Sequence, residues 1–171
     1  MTSDDIETVG MGMTWEQLPV GRRLRTIGRT IGEPDLSAFV NATGMLEVLF
    51  TNTQYLEHSS AIKGRVVPAA LLYCFAEGLL IQSIVQGVGL AFLRMDLEVK
   101  NPTFVGDTIH VEVEVIECRE SKSRPGTGLV RTRNTIVKQD GAVSLVYTPL
   151  RLLKGADWTP AASPSSSPGK P

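Results

Sequence analysis

The stretch from Arg65 to Gly87, RVVPAALLYCFAEGLLIQSIVQG, is the longest apolar run in the 171 residues and constrains the fold more than any other. Pro68 stands where a helix tolerates it, in a first turn, and no further proline interrupts the run before Gly87 and Gly89. The spacing predicts a helix of roughly five turns at ~3.6 residues per turn. Leu71, Leu72, Phe75, Leu79, Leu80, Ile84 and Val85 leave only Glu77, Gln82, Ser83 and Gln86 as polar relief. A helix apolar nearly all round must be wrapped by other elements. The run is too short, and too interrupted at Glu77-Gly78, for a membrane span.

The sequence downstream supplies the wrapping. GLAFLRMDLEVKN reads as a strand, and NPTFVGDT, with Pro102 and Gly106-Asp107, as a turn-rich connector. IHVEVEVIECRE sets Ile109, Val111, Val113 and Val115 on one face against His110, Glu112 and Glu114 on the other. After the loop SKSRPGTG come a second alternating strand, GLVRTRNTIVKQD, a hairpin turn at Asp140-Gly141 and the returning strand AVSLVYTPLRLLKG. Upstream, TWEQLPVG turns at Pro19-Val20-Gly21 and RRLRTIGRTIG forms a first strand. Asp35 caps a short helix in LSAFVNATG that ends near Gly44. MLEVLFTNTQYLEHSSAIKG is an irregular loop with one short helix from about Thr53 to His58. An antiparallel sheet with one wet face, wrapped on one long helix, is an α+β architecture.

The length fits one domain, drawn over 13–155, between a flexible N-terminus at 1–12 and a disordered Ser/Pro tail at 156–171. With 17 Lys and Arg against 18 Asp and Glu, nothing points to nucleic acid or an anionic membrane surface. The acidic start MTSDDIETVG lacks the order of a signal peptide, so a cytoplasmic location is expected. Cys74 and Cys118 lack zinc-ligand spacing and read as buried free thiols. His58 reads as a surface residue and His110 as a strand-face residue. Two distant histidines argue against a metal site, and no phosphate-cradling loop or nucleophile elbow is present.

The order of elements and several phrases resemble the hotdog fold, and more narrowly the MaoC-like (R)-specific enoyl-CoA hydratase family. WEQLPVG, FVNATG, GRVVPAALLYCFAEGLL, NPTFVGDTIHVEVEV and QDGAVSL carry the likeness, the Pro-x-x-x-Gly-Asp-Thr phrase most specifically. The resemblance implies paired hotdogs with two central helices side by side and an acyl-thioester tunnel at their junction. The substrate implied is an acyl-CoA or acyl-carrier thioester, with no separate cofactor, and the partner is a second copy or another hotdog subunit.

In that family the short helix runs into Asp-x-Asn-Pro-x-His, whose Asp and His activate water. Laying FVNATG on that helix puts Met45 at the Asp, Glu47 at the Asn, Val48 at the Pro and Phe50 at the His. Neither Met45 nor Phe50 can move a proton, and each lost acid–base group costs ~10²–10⁴-fold in rate. The family's His-Gly pair becomes Pro68-Ala69, next to Val67, although the Ala69 amide can still face a thioester carbonyl at the helix start. Tyr73, one turn on, stands with these beside the tunnel. Glu47 is the replacement candidate, because apolar neighbours would raise its pKa toward acid–base work. Glu77 is the other: some hotdog thioesterases carry a base on this helix, whereas an unpaired carboxylate in an apolar run otherwise needs a dimer mate, an Arg or a Tyr to satisfy it. Three readings stay open. They are a hydratase/dehydratase acting on enoyl-CoA or 3-hydroxyacyl-CoA through Glu47, a non-catalytic half of a paired hotdog, and a thioesterase using Glu77.

Overall fold

The computed structural model describes residue 6 and residues 8–160. The expectations for the terminal residues 1–5 and 7, and for the tail over 161–171, lie outside the described residues. At Gly12 the chain is already tied down, since Gly12 N–H donates to Gln86 O at 2.7 Å and Met13 N–H to Ile84 O at 2.7 Å.

Among the described residues, eight antiparallel strands form one sheet. They are β1 (Arg23–Arg25), β2 (Arg29–Thr30), β3 (Gly89–Arg94), β4 (Leu97–Val99), β5 (Thr108–Glu120), β6 (Thr127–Lys138), β7 (Val143–Tyr147) and β8 (Leu150–Lys154). The long pair β5 and β6 is the spine. β1 and β2 lie along the far edge of β5; β7 and β8 follow one another along β6, with β4 and β3 outside them. The alternation in β5 holds, with Ile109, Val111, Val113 and Val115 all at 3% exposure or less. Each such side chain contributes about 1.5–3 kcal/mol of burial.

Among the described residues, four α-helices precede or fill the curve of the sheet: α1 (Glu33–Thr43), α2 (Val48–Thr51), α3 (Thr53–His58) and α4 (Ala69–Leu80). α3 falls where the sequence places it. α1 starts earlier, with Gly32 at its N-cap and Pro34 in the first turn, and Asp35 is not the cap but reaches back to accept Gly32 N–H at 2.8 Å. Gly44 ends α1 at φ 70°. α2 is unforeseen. The central helix is shorter than five α-turns: Arg65–Val67 is extended, Pro68 is the N-cap, and a π-helical turn over Ile81–Val85 replaces the last α-turn. Leu71, Leu72, Ala76, Leu79 and Leu80 of α4 enter the main core.

The Pro-x-x-x-Gly-Asp-Thr phrase places the start of α4. Val66 forms an isolated bridge with Phe104, Val67 N–H donates to Thr103 O at 2.8 Å, and Val105 N–H donates to Arg65 O at 2.9 Å. Gly106, at φ 95°, makes the bend an L-residue would resist.

Candidate functional site

At the N-terminus of α4, Val67 and Pro68 are buried and Ala69 is half-buried. The first-turn amides lie beyond the reach of intrahelical acceptors and carry the positive end of the helix dipole. Phe50, Ala69 and Tyr73 pack as half-buried side chains against the same core. Arg65 fastens the α2 region to this end, donating to the Phe50 carbonyl through Nη1 and to the Glu33 carboxylate through Nε and Nη2. The Arg65 guanidinium holds the Glu33 carboxyl below its ordinary value. Met45 and Glu47, by contrast, lie exposed. Glu47 is the N-cap of α2, and its carboxylate makes no hydrogen bond to the described residues. Val48, at 43% exposure, gives it no apolar enclosure among the described residues.

Glu77, two turns farther along α4, is fully engaged. Arg151 Nη2 donates to both of its oxygens, at 2.5 and 2.7 Å, and the Tyr147 hydroxyl donates to Oε1 at 2.8 Å. The Glu77 and Arg151 side chains are only 15% and 10% exposed. Burial, and then the Glu77 carboxylate, push the Tyr147 phenol far above its ordinary pKa, so it stays protonated and donating. Tyr73 packs edge-on against Tyr147 with ring centroids 5.2 Å apart, and burial raises its pKa as well. A carboxylate holding three hydrogen bonds has little freedom to activate a hydrolytic water. The satisfied-polar reading of Glu77 is the one the geometry fits, with Arg and Tyr both supplied.

The described residues leave one side of α4 uncovered. Ala70 and Cys74 are exposed, against the expectation of a buried Cys74 thiol, and Cys118 is only half-buried; both are free. Ile81, Phe92 and Leu93 continue this apolar face at 46%, 45% and 52% exposure. β3 pairs with β8 alone, so its outer edge has no strand partner among the described residues. A cleft of about 270 Å³ opens here, with Glu77 and Arg151 at its base and Ile81, Val85 and Phe92 among its walls. Among the described residues no cluster of side chains could hold a metal ion, and no helix is long and apolar enough to cross a membrane. His58 is exposed, as expected, and His110 is half-buried on the outer sheet face.

No family model matches the chain. An (R)-specific enoyl-CoA hydratase of Aeromonas caviae is 31% identical over 110 residues, covering 64% of this chain and 80% of that protein. The chain belongs to the MaoC-like (R)-specific enoyl-CoA hydratase family. The crystal structure of a MaoC-like dehydratase from Rhodospirillum rubrum superposes with a TM-score of 0.76 at 24% identity, covering 86% of this chain and all of that one. A Mycobacterium tuberculosis protein described as having a double hotdog fold gives 0.77 at 22% identity, this chain spanning 48% of it. The fold of this hydratase-family chain is therefore the hotdog, as its phrases imply.

The sequence did not single out Arg151, Tyr147, Arg65 or Glu33. A signal existed for the first: Arg151 shares an inward face of β8 with Leu153, where an unmatched cation calls for an acid such as Glu77.

Proposed function

We propose that this chain binds enoyl-CoA or 3-hydroxyacyl-CoA thioesters, or their acyl-carrier equivalents, as one half of a two-hotdog assembly of the hydratase/dehydratase class, with the proton-transfer groups supplied by the other half. The family assignment supports the reaction class. The observation that carries the division of labour is the state of the α1–α2 loop. Met45 and Phe50 stand where the resemblance places the catalytic Asp and His, and the nearest carboxylate, Glu47, points into solvent rather than into an apolar pocket. The thioester-facing part is retained, since the unbonded amides of the first α4 turn can polarise a carbonyl. The uncovered side of α4 and the free edge of β3 fit a second hotdog.

The test is the loss of enoyl-thioester absorbance when the purified chain alone meets crotonyl-CoA and a longer enoyl-CoA, with binding followed in parallel by calorimetry. Binding without turnover is expected. Robust turnover by the chain alone would overturn the partner-dependent reading.

One observation favours a second reading. The Glu47 carboxylate has no hydrogen bond to the described residues, which leaves it available to a substrate brought against it. A homodimeric hydratase built on Glu47 predicts that Glu47→Gln abolishes turnover and leaves the melting temperature unchanged.

A further inference from the structure

The hairpin that joins β5 to β6 lies at the opposite end of β5 from the turn that holds the start of α4. A cavity of about 450 Å³ opens there, its walls including Leu90 of β3, Arg124, Pro125 and Thr127 of the hairpin, and Trp158 beyond β8. These walls are tied together. Ser121 N–H donates to Thr127 O at 2.9 Å, the Thr127 hydroxyl donates to Arg124 O at 2.6 Å, and Gly155 N–H donates to Gly126 O at 2.8 Å. Gly126, at φ 71°, brings the hairpin so close to Trp158 that an added Cβ would stand 3.5 Å from the Trp158 Cα. The volume falls in the ~300–1,000 Å³ range of small-molecule sites, and a backbone already held in place spares a ligand the cost of ordering it.

The lining side chains decide what kind of ligand fits. Arg124 forms no ion pair among the described residues, and neither do Lys122 and Lys154 beside it. The neighbouring carboxylates of Glu120 and Asp157 do not line the cavity. Half-buried Trp158 supplies an aromatic wall, with Lys154 Nζ 4.3 Å from its ring centroid but outside the cavity lining. An unpaired guanidinium can fork onto a phosphate, and an indole beside it can stack on a planar base. A bare anion would use Arg124 and leave the indole idle. An apolar ligand would use Trp158 and Leu90 and leave the cation idle. A nucleotide uses both.

We infer that the cavity between the β5–β6 hairpin and Trp158 binds a nucleotide, with its phosphate on Arg124 and its base against Trp158. The site stands apart from the start of α4 and does not depend on the thioester reading above. Two sources carry the required chemistry, the adenosine bisphosphate end of CoA and a free nucleotide such as ADP.

The test is binding of adenosine 3′,5′-bisphosphate, ADP, adenosine and inorganic phosphate to the full chain, followed by calorimetry and by tryptophan fluorescence. A nucleotide should bind about tenfold more tightly than adenosine or phosphate, because only it engages both walls. Arg124→Ala should weaken nucleotide binding about tenfold and leave the melting temperature unchanged, since that side chain is exposed. Trp158→Phe keeps a ring to stack on, so it should retain most of the affinity and lose most of the fluorescence change. Tighter binding of the 3′,5′-bisphosphate identifies CoA as the source and tighter binding of ADP a free nucleotide; either result supports the site. No nucleotide binding, adenosine or phosphate binding as tightly as a nucleotide, or nucleotide binding that Arg124→Ala does not change would overturn it and leave the proposed function standing.

Discussion

Glu77 shows how one residue's surroundings settle its role. Midway along a helix of leucines, its carboxylate is stable because Arg151 and Tyr147 approach from β8 and β7 and meet both oxygens. Removing one member of a buried pair strands the other charge, at a cost of about 3–5 kcal/mol, whereas replacing both with apolar groups can be neutral. Glu77→Ala and Arg151→Met should therefore each lower the unfolding free energy by about 3 kcal/mol, the lower end because the pair borders a cleft. Glu77→Leu with Arg151→Met should restore most of it. Urea titration of the three variants measures this, and a neutral Arg151→Met would show that the ion pair does not hold. Tyr147→Phe removes a single donor and should cost about 1 kcal/mol.

Among the elements, the connector before β5 does the most to place the site. Asp107 accepts Phe104 N–H at 2.9 Å, Gln139 Nε2 at 2.8 Å and Lys138 Nζ at 3.4 Å, so one carboxylate joins the turn that abuts the start of α4 to the end of β6. Burial pushes its pKa up, but the Gln139 and Phe104 hydrogen bonds and the Lys138 charge outweigh burial and hold it below the ordinary value. A depressed carboxyl contributes stability that is present above its unfolded pKa and lost as pH falls through the folded one. The wild-type melting temperature should thus drop on acidification through and below the ordinary carboxylate range. Asp107→Asn should melt lower at neutral pH and show a shallower acid slope; equal slopes would sink the argument.

The same scale shows what could be read from the sequence. The β5 alternation, Gly44 as the end of α1 and the span of α3 were legible because each has a local cause. The breaks in the outer strands were not. GLAFLRMDLEVKN reads as one strand, but it splits at Met95-Asp96 so that β3 pairs with β8 and β4 with β7. The returning strand splits in step at Thr148-Pro149, where Thr148 N–H donates to Asp96 O at 2.9 Å and proline has no N–H to continue the ladder. A period-2 pattern shows which residues face inward but not where a strand changes partner. The polar cluster around Glu77 stayed hidden for the same reason, its members coming from positions 77, 147 and 151, which only the completed sheet brings together.

For the molecule as a whole, the uncovered face is the feature the single chain does not resolve by itself. Small or apolar side chains at Ala70, Cys74, Ile81, Phe92 and Leu93 lie exposed beside a strand edge that no described strand pairs, a combination that invites association. Covering it buries apolar area at ~25 cal/mol per Å² and satisfies the edge amides of β3 in a single step. The chain should therefore run at twice its mass in light scattering when purified alone, and should exchange that copy for a cognate hotdog subunit when one is present. Ile81→Glu with Phe92→Glu should give a folded monomer, because both side chains are already exposed within the chain and the charge penalty arises only on association. A wild-type chain that stays monomeric at micromolar concentration, with or without such a subunit, would remove the two-hotdog assembly and the partner-supplied chemistry together.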